Sequence, residues 1–349
     1  MLRLRLSEFE SRPVELTAEA VAYLHATFPH QLDVAATGEP GRYLLTAKHH
    51  VGSIRGPDLE IRIEPKVGTA GLFHMVGYAH GLLDLGRERI EHDRSDDLYD
   101  ILLLVLAGYL EELVLGRLRR GYVERSEDLP VVRGRLLIDQ VLRRLAATSL
   151  RVPCRHEEFT ADLPHNQVIR HALEALPLPR DVALARRIRR LRGTFRFATR
   201  KRFVPSDIDA FHYDRLTDHY EPIHRLCRLL LEASGVGERE GGHPFATFLI
   251  DMNKLFERFV AEWLRAHLPN EYTVDTQVHG YLDMGRQIPI RPDLVLRRRG
   301  HTVLVADTKY KRAKDGGPGA ADAYQLLAYC RALGIRTGLL IYPMPLGPA

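Results

Sequence analysis

Over residues 1–95 apolar and polar side chains alternate in short runs, cut by glycine and proline. RYLLTAKHHVGSIRG, from Arg42, and DLEIRIEPKVG, from Asp58, follow the period of two that predicts half-buried strands. One segment breaks the rhythm. From Thr17 to Thr27 the residues Leu16, Ala20 and Leu24 fall on one side of a helical turn, which predicts a helix.

From Asp96 to Gly235 the period lengthens. SDDLYDILLLVLAGYLEELVLGRLRRG predicts a long helix, with Ser95 as N-cap, acidic residues in its first turn, and arginines and Gly121 at its end. LPHNQVIRHALEAL and DHYEPIHRLCRLLLEASG carry the same 3.6-residue repeat. The stretch GEREGGHPF, from Gly237, predicts a linker. Beyond it the order is helix, strands, helix, strand. MNKLFERFVAEWLRAHL is amphipathic, with Leu255, Phe259 and Trp263 as its apolar stripe. Strands are predicted at Tyr272–Gln277, Pro292–Leu296 and Thr302–Lys309, then a helix over Ala321–Leu333 and a strand in TGLLIYP. The chain is therefore expected to be α+β and multidomain: a β-rich N-terminal domain (1–95), a helical middle region (96–236) and a C-terminal α/β domain (237–349).

Composition narrows the function. The 349 residues exceed one ordinary core, and 45% hydrophobic with 27% charged residues is a globular, not a disordered, balance. The run ILLLVLAGYL is broken by Glu111 and Glu112 and is too short to span a bilayer. Arg3 and Arg5 interrupt any signal-peptide core. Cys154, Cys227 and Cys330 are isolated, which suggests neither zinc nor disulfides and fits a cytoplasmic protein. The histidines, His49 and His50 included, show no ligand spacing and read as surface or core residues. A net charge of +5 and a pI near 9.1 permit a polyanionic partner. Arginine dominates the basic residues, which suits phosphate recognition but equally reflects genome composition. The run from Leu184 to Phe203 interleaves arginines with Phe195, Phe197 and Phe203. It reads either as a grip on a nucleic-acid backbone or as a solvated helix face. No phosphate-binding glycine motif occurs, so nucleotide hydrolysis in this chain is not expected.

The chemistry concentrates in one pattern, Pro-Asp followed at a distance by Asp/Glu-x-Lys, present twice. In RPDLVLRRRGHTVLVADTKYK a turn around Gly300 sets Asp293 opposite Asp307 on neighbouring strands. Lys309 then shares a face with Asp307, Val303 and Val305. Two carboxylates and an ammonium at one sheet edge suit Mg²⁺-dependent phosphodiester hydrolysis, which needs hard oxygen ligands and a nearby cation. In the other copy, GPDLEIRIEPK, Asp58 and Glu64 are too close for two strands and a turn. That copy reads as a single strand whose charges form a solvated face. Glu257 is either an exposed helix glutamate or a third carboxylate ligand. Gln325 is either an amphipathic surface residue or a group positioning the phosphate or the lysine. Tyr310 and Lys311 either contact the DNA backbone or pack at the strand end.

RPDLVL…VADTKYK followed by AYQLLAY resembles the PD-(D/E)xK nuclease core of McrC, the endonuclease subunit of modification-dependent (5-methylcytosine) restriction systems. HHVGSIRGPDLEIRIEPKVG with FHMVGYA after it resembles that family's N-terminal domain, and VVRGRLLID and LPHNQVIRHAL resemble its middle segments, so the likeness covers nearly the whole chain. It implies a C-terminal restriction-endonuclease-like core with Asp293, Asp307 and Lys309 as nuclease residues and Mg²⁺, or Mn²⁺ in its place, as cofactor. It further implies a hexameric AAA+ GTPase partner, McrB, that reads modified DNA and is stimulated by the N-terminal domain, to which Pro65 and Lys66 would belong without a chemical role. A non-catalytic adaptor of a ring NTPase and a stand-alone repair or transposition nuclease are the competing classes.

Overall fold

The computed structural model describes residues 2–56, 58–82, 97–143, 151–235, 247–311 and 318–343. The predicted N-cap Ser95 and the predicted linker from Gly237 lie outside the described residues. No helix among those described is long and apolar enough to cross a membrane.

The first stretch forms β1 (Leu2–Ser7), β2 (Ser11–Glu15), α1 (Ala18–Thr27), β3 (Leu32–Ala36), β4 (Arg42–Ala47), β5 (His50–Gly56), β6 (Leu59–Glu64) and α2 (Gly68–His80). Thr17 caps α1 through its hydroxyl, which accepts from the Ala20 N–H at 3.2 Å. The middle stretch forms α3 (Leu98–Glu112), β7 (Gly121–Leu129), β8 (Arg135–Leu136), α4 (Ile138–Arg143), β9 (Val152–Thr160), α5 (Pro164–Ala175), α6 (Val182–Thr194), α7 (Pro205–Asp209) and α8 (Glu221–Ala233). The last stretch forms β10 (Phe248–Asp251), α9 (Met252–His267), β11 (Tyr272–Thr276), β12 (Gly280–Tyr281), β13 (Pro289–Ile290), β14 (Leu294–Arg298), β15 (His301–Thr308), α10 (Ala320–Leu333) and β16 (Gly338–Ile341).

Two compact units result. One holds Met1–Ile101 together with the C-terminal stretch, and the other holds Leu102–Glu232. The N-terminal stretch and the C-terminal stretch from β10 onward share a unit because β10 pairs antiparallel with β5, completing a sheet ordered β1-β6-β5-β10. Gly52 makes that pairing possible. Its φ is +135°, and a Cβ there would sit 2.1 Å from the Phe248 carbonyl oxygen, so any side chain would push β10 away. Within this unit α2 packs on α9, where Phe259 meets Tyr78 edge-on at 5.9 Å between ring centroids.

The strand Leu59–Glu64 corrects one expectation. Its charges are not a uniformly solvated face, because β6 lies inside the sheet between β1 and β5, and Glu60 is buried beside Arg3 at 3.6 Å. Asp58 sits in the preceding turn with φ +51°.

The middle region also departs from expectation, since it is not purely helical. β7 and β9 pair from Gly121↔Thr160 to Leu129↔Val152, with β8 on the other side of β9. Their residues are mostly polar and half-exposed, so no apolar period marked them as strands. The helix expected to run to Gly121 stops earlier. α3 ends at Glu112, a wider turn continues to Arg117, and Gly116 leaves helical geometry. Its apolar run is buried as predicted, Leu102, Leu106 and Leu110 being fully so. On α5 the buried Asn166 donates to the Arg119 and Ala161 carbonyls at 3.1 and 2.7 Å and accepts from the Tyr220 hydroxyl at 2.8 Å. That satisfied polar centre explains the LPHNQ segment without chemistry. On α6, Arg186, Arg189 and Arg190 are exposed and Arg187 forks onto Glu111 at 2.8 and 3.1 Å, while Phe195 and Phe203, beyond the end of the helix, are core residues.

Candidate active site

The C-terminal sheet is ordered β11-β14-β15-β16. β14 and β15 form a hairpin whose two-residue loop is Arg299 and Gly300, with φ +50° and +84°. Positive φ at both central positions is the turn that matches strand twist. The pairing begins at Arg298↔His301, shifts once between Leu296 and Arg297, and ends at Leu294↔Ala306. Asp293 and Asp307 are the next residues out on each strand. The same antiparallel step that pairs Leu294 with Ala306 brings them abreast.

Because β15 is an inner strand, Asp307 is only 1% exposed. The buried face begins at Val305 rather than at Val303, which is exposed near the turn and so does not share the apolar face expected of it. Asp293 is held by Thr308, whose N–H and hydroxyl both donate to Oδ2, at 2.7 and 2.8 Å. Lys309 Nζ lies 2.5 Å from Asp307 Oδ2 and donates to Gln325 Oε1 at 2.9 Å. Gln325 in turn donates to the Tyr329 hydroxyl, one turn along α10, at 2.7 Å.

Glu257 comes from α9. The buried face of that helix is Met252, Leu255, Phe256, Val260 and Ala261, and Trp263 is exposed, so the predicted stripe of Leu255, Phe259 and Trp263 is displaced round the helix. The Gln277 side-chain amide donates to Glu257, while its backbone N–H donates to the Asp293 carbonyl at 2.9 Å. Gln277 adopts φ +52°, and nothing in the sequence signalled it. Asp293, Asp307, Lys309, Glu257 and Gln325 thus line one cavity of about 350 Å³, with Arg291 and Thr308 beside them.

Electrostatics follow from crowding. Burial pushes the Asp307 carboxyl above the usual carboxylate range and Asp293 adds to the rise, while Lys309 opposes it. Burial likewise raises Glu257, against the Gln277 hydrogen bond and with help from Asp293 and Asp307. For Lys309 burial alone would lower the pKa, but Asp307, Asp322 and Asp293 together hold it above its ordinary value. It is an ammonium throughout the neutral range.

A pH dependence follows from these directions. An acid whose folded-state pKa exceeds its unfolded value binds its proton more tightly in the fold, so its stabilisation is complete below the unfolded value and lost as pH rises through the folded one. In chelator, Asp307 and Glu257 should therefore contribute less to stability as pH climbs above about 4. Asp162 and Glu174, both lowered, act in the opposite sense. The Asp307→Asn variant isolates the site: its unfolding temperature should fall less with rising pH than that of the wild type. Parallel curves would refute the burial argument.

Two flanking residues have partners of their own. Tyr310 is buried at the strand end, its hydroxyl donating to Glu8 Oε2 at 2.8 Å, and Lys311 pairs with Asp322 at 2.6 Å. Lys66, assigned no chemistry from sequence, donates through Nζ to the Tyr310 carbonyl at 3.0 Å and lies 3.8 Å from the Tyr310 ring centroid. Its backbone N–H donates to the same Glu8 oxygen at 2.9 Å. This clamp fixes the residue next to Lys309. Lys66→Met should destabilise the fold by about 1.5–3 kcal/mol, the usual worth of a charged hydrogen bond. Chemical denaturation measures it, and an unchanged midpoint would show the clamp to be idle.

The comparisons agree with this architecture. The family model described as McrBC 5-methylcytosine restriction system component matches residues 45–343. A solved half-complex from a tetradecameric assembly of Thermococcus gammatolerans McrB AAA+ hexamers with bound McrC is similar at a TM-score of 0.63 and 20% identity, covering 98% of this chain and 87% of that one. A cryo-EM structure of the Thermococcus gammatolerans McrBC complex is similar at 0.54 and 20% identity, covering 77% and 89%. No curated protein matches. At that identity the solved structures speak to the fold, and the family model, which spans most of the sequence, speaks to membership. The chain belongs to the McrBC 5-methylcytosine restriction system component family.

Proposed function

We propose that this chain is the Mg²⁺-dependent DNA endonuclease subunit of a modification-dependent restriction complex, working with an AAA+ GTPase of the McrB type. The observation that carries the reading is the convergence of three carboxylates, a lysine and a glutamine on one cavity. The donor set fits the ion. Asp293, Asp307 and Glu257 offer hard oxygens, and burial with mutual repulsion raises the Asp307 and Glu257 carboxyls even though Lys309 pairs with Asp307, a cost that a bound divalent cation would offset. These three residues would hold Mg²⁺, with Mn²⁺ as a substitute. The bound ion would supply Lewis acidity and an acidified water.

The chain's own residues divide the remaining work. Thr308 and Gln277 fix Asp293 and Glu257, so ligand geometry is set before substrate arrives. Lys309, kept protonated, serves as a charge stabiliser at the scissile phosphate and not as a general base. Gln325 restrains its ammonium from the other side.

The N-terminal segment 1–95 would be the partner-docking part. The Thermococcus gammatolerans assembly contains McrC bound to McrB hexamers, and an equivalent AAA+ ring is the partner inferred here. The deciding assay combines the purified chain, methylated DNA and Mg²⁺, with and without the McrB-like partner and GTP. Cleavage requiring both partner and nucleotide supports the proposal. Stimulated GTP hydrolysis without cleavage would reduce the chain to an adaptor, and cleavage by the chain alone would make it an independent nuclease.

A further inference from the structure

A second cluster of ligating side chains, none of which lines the acidic cavity, lies at the start of β5. His50 pairs across the sheet with Asp251, the last residue of β10, and the His49 carbonyl accepts from the Met252 N–H at 2.9 Å. One ring nitrogen of each histidine and one Asp251 carboxylate oxygen all lie within 4.8 Å of one another. His49 Nε2 is 3.8 Å from Asp251 Oδ1. His50 is 9% exposed, and its Nδ1 is buried without a hydrogen-bond partner among the described residues. An unsatisfied buried polar atom costs about 1–3 kcal/mol, so its retention calls for a reason.

We propose that His49, His50 and Asp251 form a binding site for a transition-metal ion of the Zn²⁺ class, separate from the acidic cavity. Two imidazoles and one carboxylate are borderline donors that favour Zn²⁺ and its neighbours over Mg²⁺. Burial pushes the His50 imidazole down to about 4, so at neutral pH it is uncharged and its lone pair is available. Donors of a tetrahedral zinc site stand roughly 3.3–3.5 Å apart, as follows from bonds of about 2.0–2.2 Å. The cluster therefore needs side-chain adjustments of about an ångström. His49 and Asp251 are partly open to solvent, which leaves room for a water in the fourth position. The charges facing His50 are mixed: Asp251 favours a cation there, and Lys254 and His30 oppose it.

The consequence is structural. Asp251 is also the N-cap of α9, accepting from the Asn253 and Lys254 N–H groups at 3.0 and 3.3 Å. An ion at this point would fasten β5 to the first turn of the helix that carries Glu257.

The test uses the full-length chain bearing Asp307→Asn, which weakens the acidic cavity as a competitor. After chelator treatment and dialysis, Zn²⁺ is titrated against a chromogenic chelator and Co²⁺ is followed by visible absorption. One equivalent of each should bind, with cobalt bands typical of nitrogen and oxygen ligands. His49→Gln and Asp251→Asn should each weaken zinc by about 10-fold or more, since losing even an outer-shell partner costs that much. Both variants should still fold, because His49 is partly exposed and asparagine caps helices as well as aspartate does. Absence of binding, or binding that neither substitution alters, would overturn the proposal and assign the zinc to scattered histidines.

Discussion

Asp307→Asn and Asp293→Asn are each expected to lower Mg²⁺-dependent cleavage of methylated DNA by about 10³-fold or more. Metal-ion stabilisation of a phosphoryl transition state is worth several kcal/mol, and each 1.36 kcal/mol is tenfold in rate. The substitution keeps the shape of the side chain and removes only the charge, so loss of activity cannot be blamed on a collapsed hairpin. Asp307→Asn should even stabilise the ion-free protein near neutrality, because burial disfavours its carboxylate. Single-turnover cleavage with the partner and GTP present reads the chemistry, and calorimetric titration with Mn²⁺ reads the ligand. Stimulation of the partner's GTP hydrolysis should be unaffected by either change. Near-normal cutting by either variant would remove the carboxylate pair from the mechanism.

Lys309→Ala should slow the same single-turnover step by about 10²–10³-fold, the range seen when one preorganised charge or donor is removed from a transition state. Its metal affinity should persist at mildly alkaline pH, since the three carboxylates remain. The pH profile offers a more specific signature. Lys309 opposes the rise in the Asp307 pKa, so deleting it should move the acid limb of the activity profile to higher pH. Gln325 holds the ammonium at 2.9 Å, and a lysine that acted only as structural filler would leave this limb in place. An unmoved limb together with unchanged rate would rule out the assigned role.

The hairpin was readable from the chain because its geometry is local. A period of two and a glycine turn fix which residues stand abreast, and Asp293 and Asp307 follow from that register without any knowledge of the rest. The decoy around Asp58 was likewise separable by spacing, although its solvation was not. Glu60 is buried because β1, from the other end of the segment, and β5 enclose its strand. The polar strands β7 and β9 escaped detection for the opposite reason: too little apolar patterning to read.

Glu257 and Gln325 lay beyond local inference. Each sits on a helix whose rotation is set by what the helix packs against, and for α9 that is α2 at Phe259 and the core at Leu255, Phe256 and Val260. Lys66, Gln277 and the His49–His50–Asp251 cluster were hidden for the same reason, since each draws its meaning from residues distant in the chain. By itself the sequence determined the strand register and the identity of the paired acids and lysine, because alternation along a strand is a property of neighbouring residues. Only the tertiary structure decided which helical side chains face those acids, how deeply they are buried and what clamps them, because burial and charge coupling depend on distances that no single segment contains.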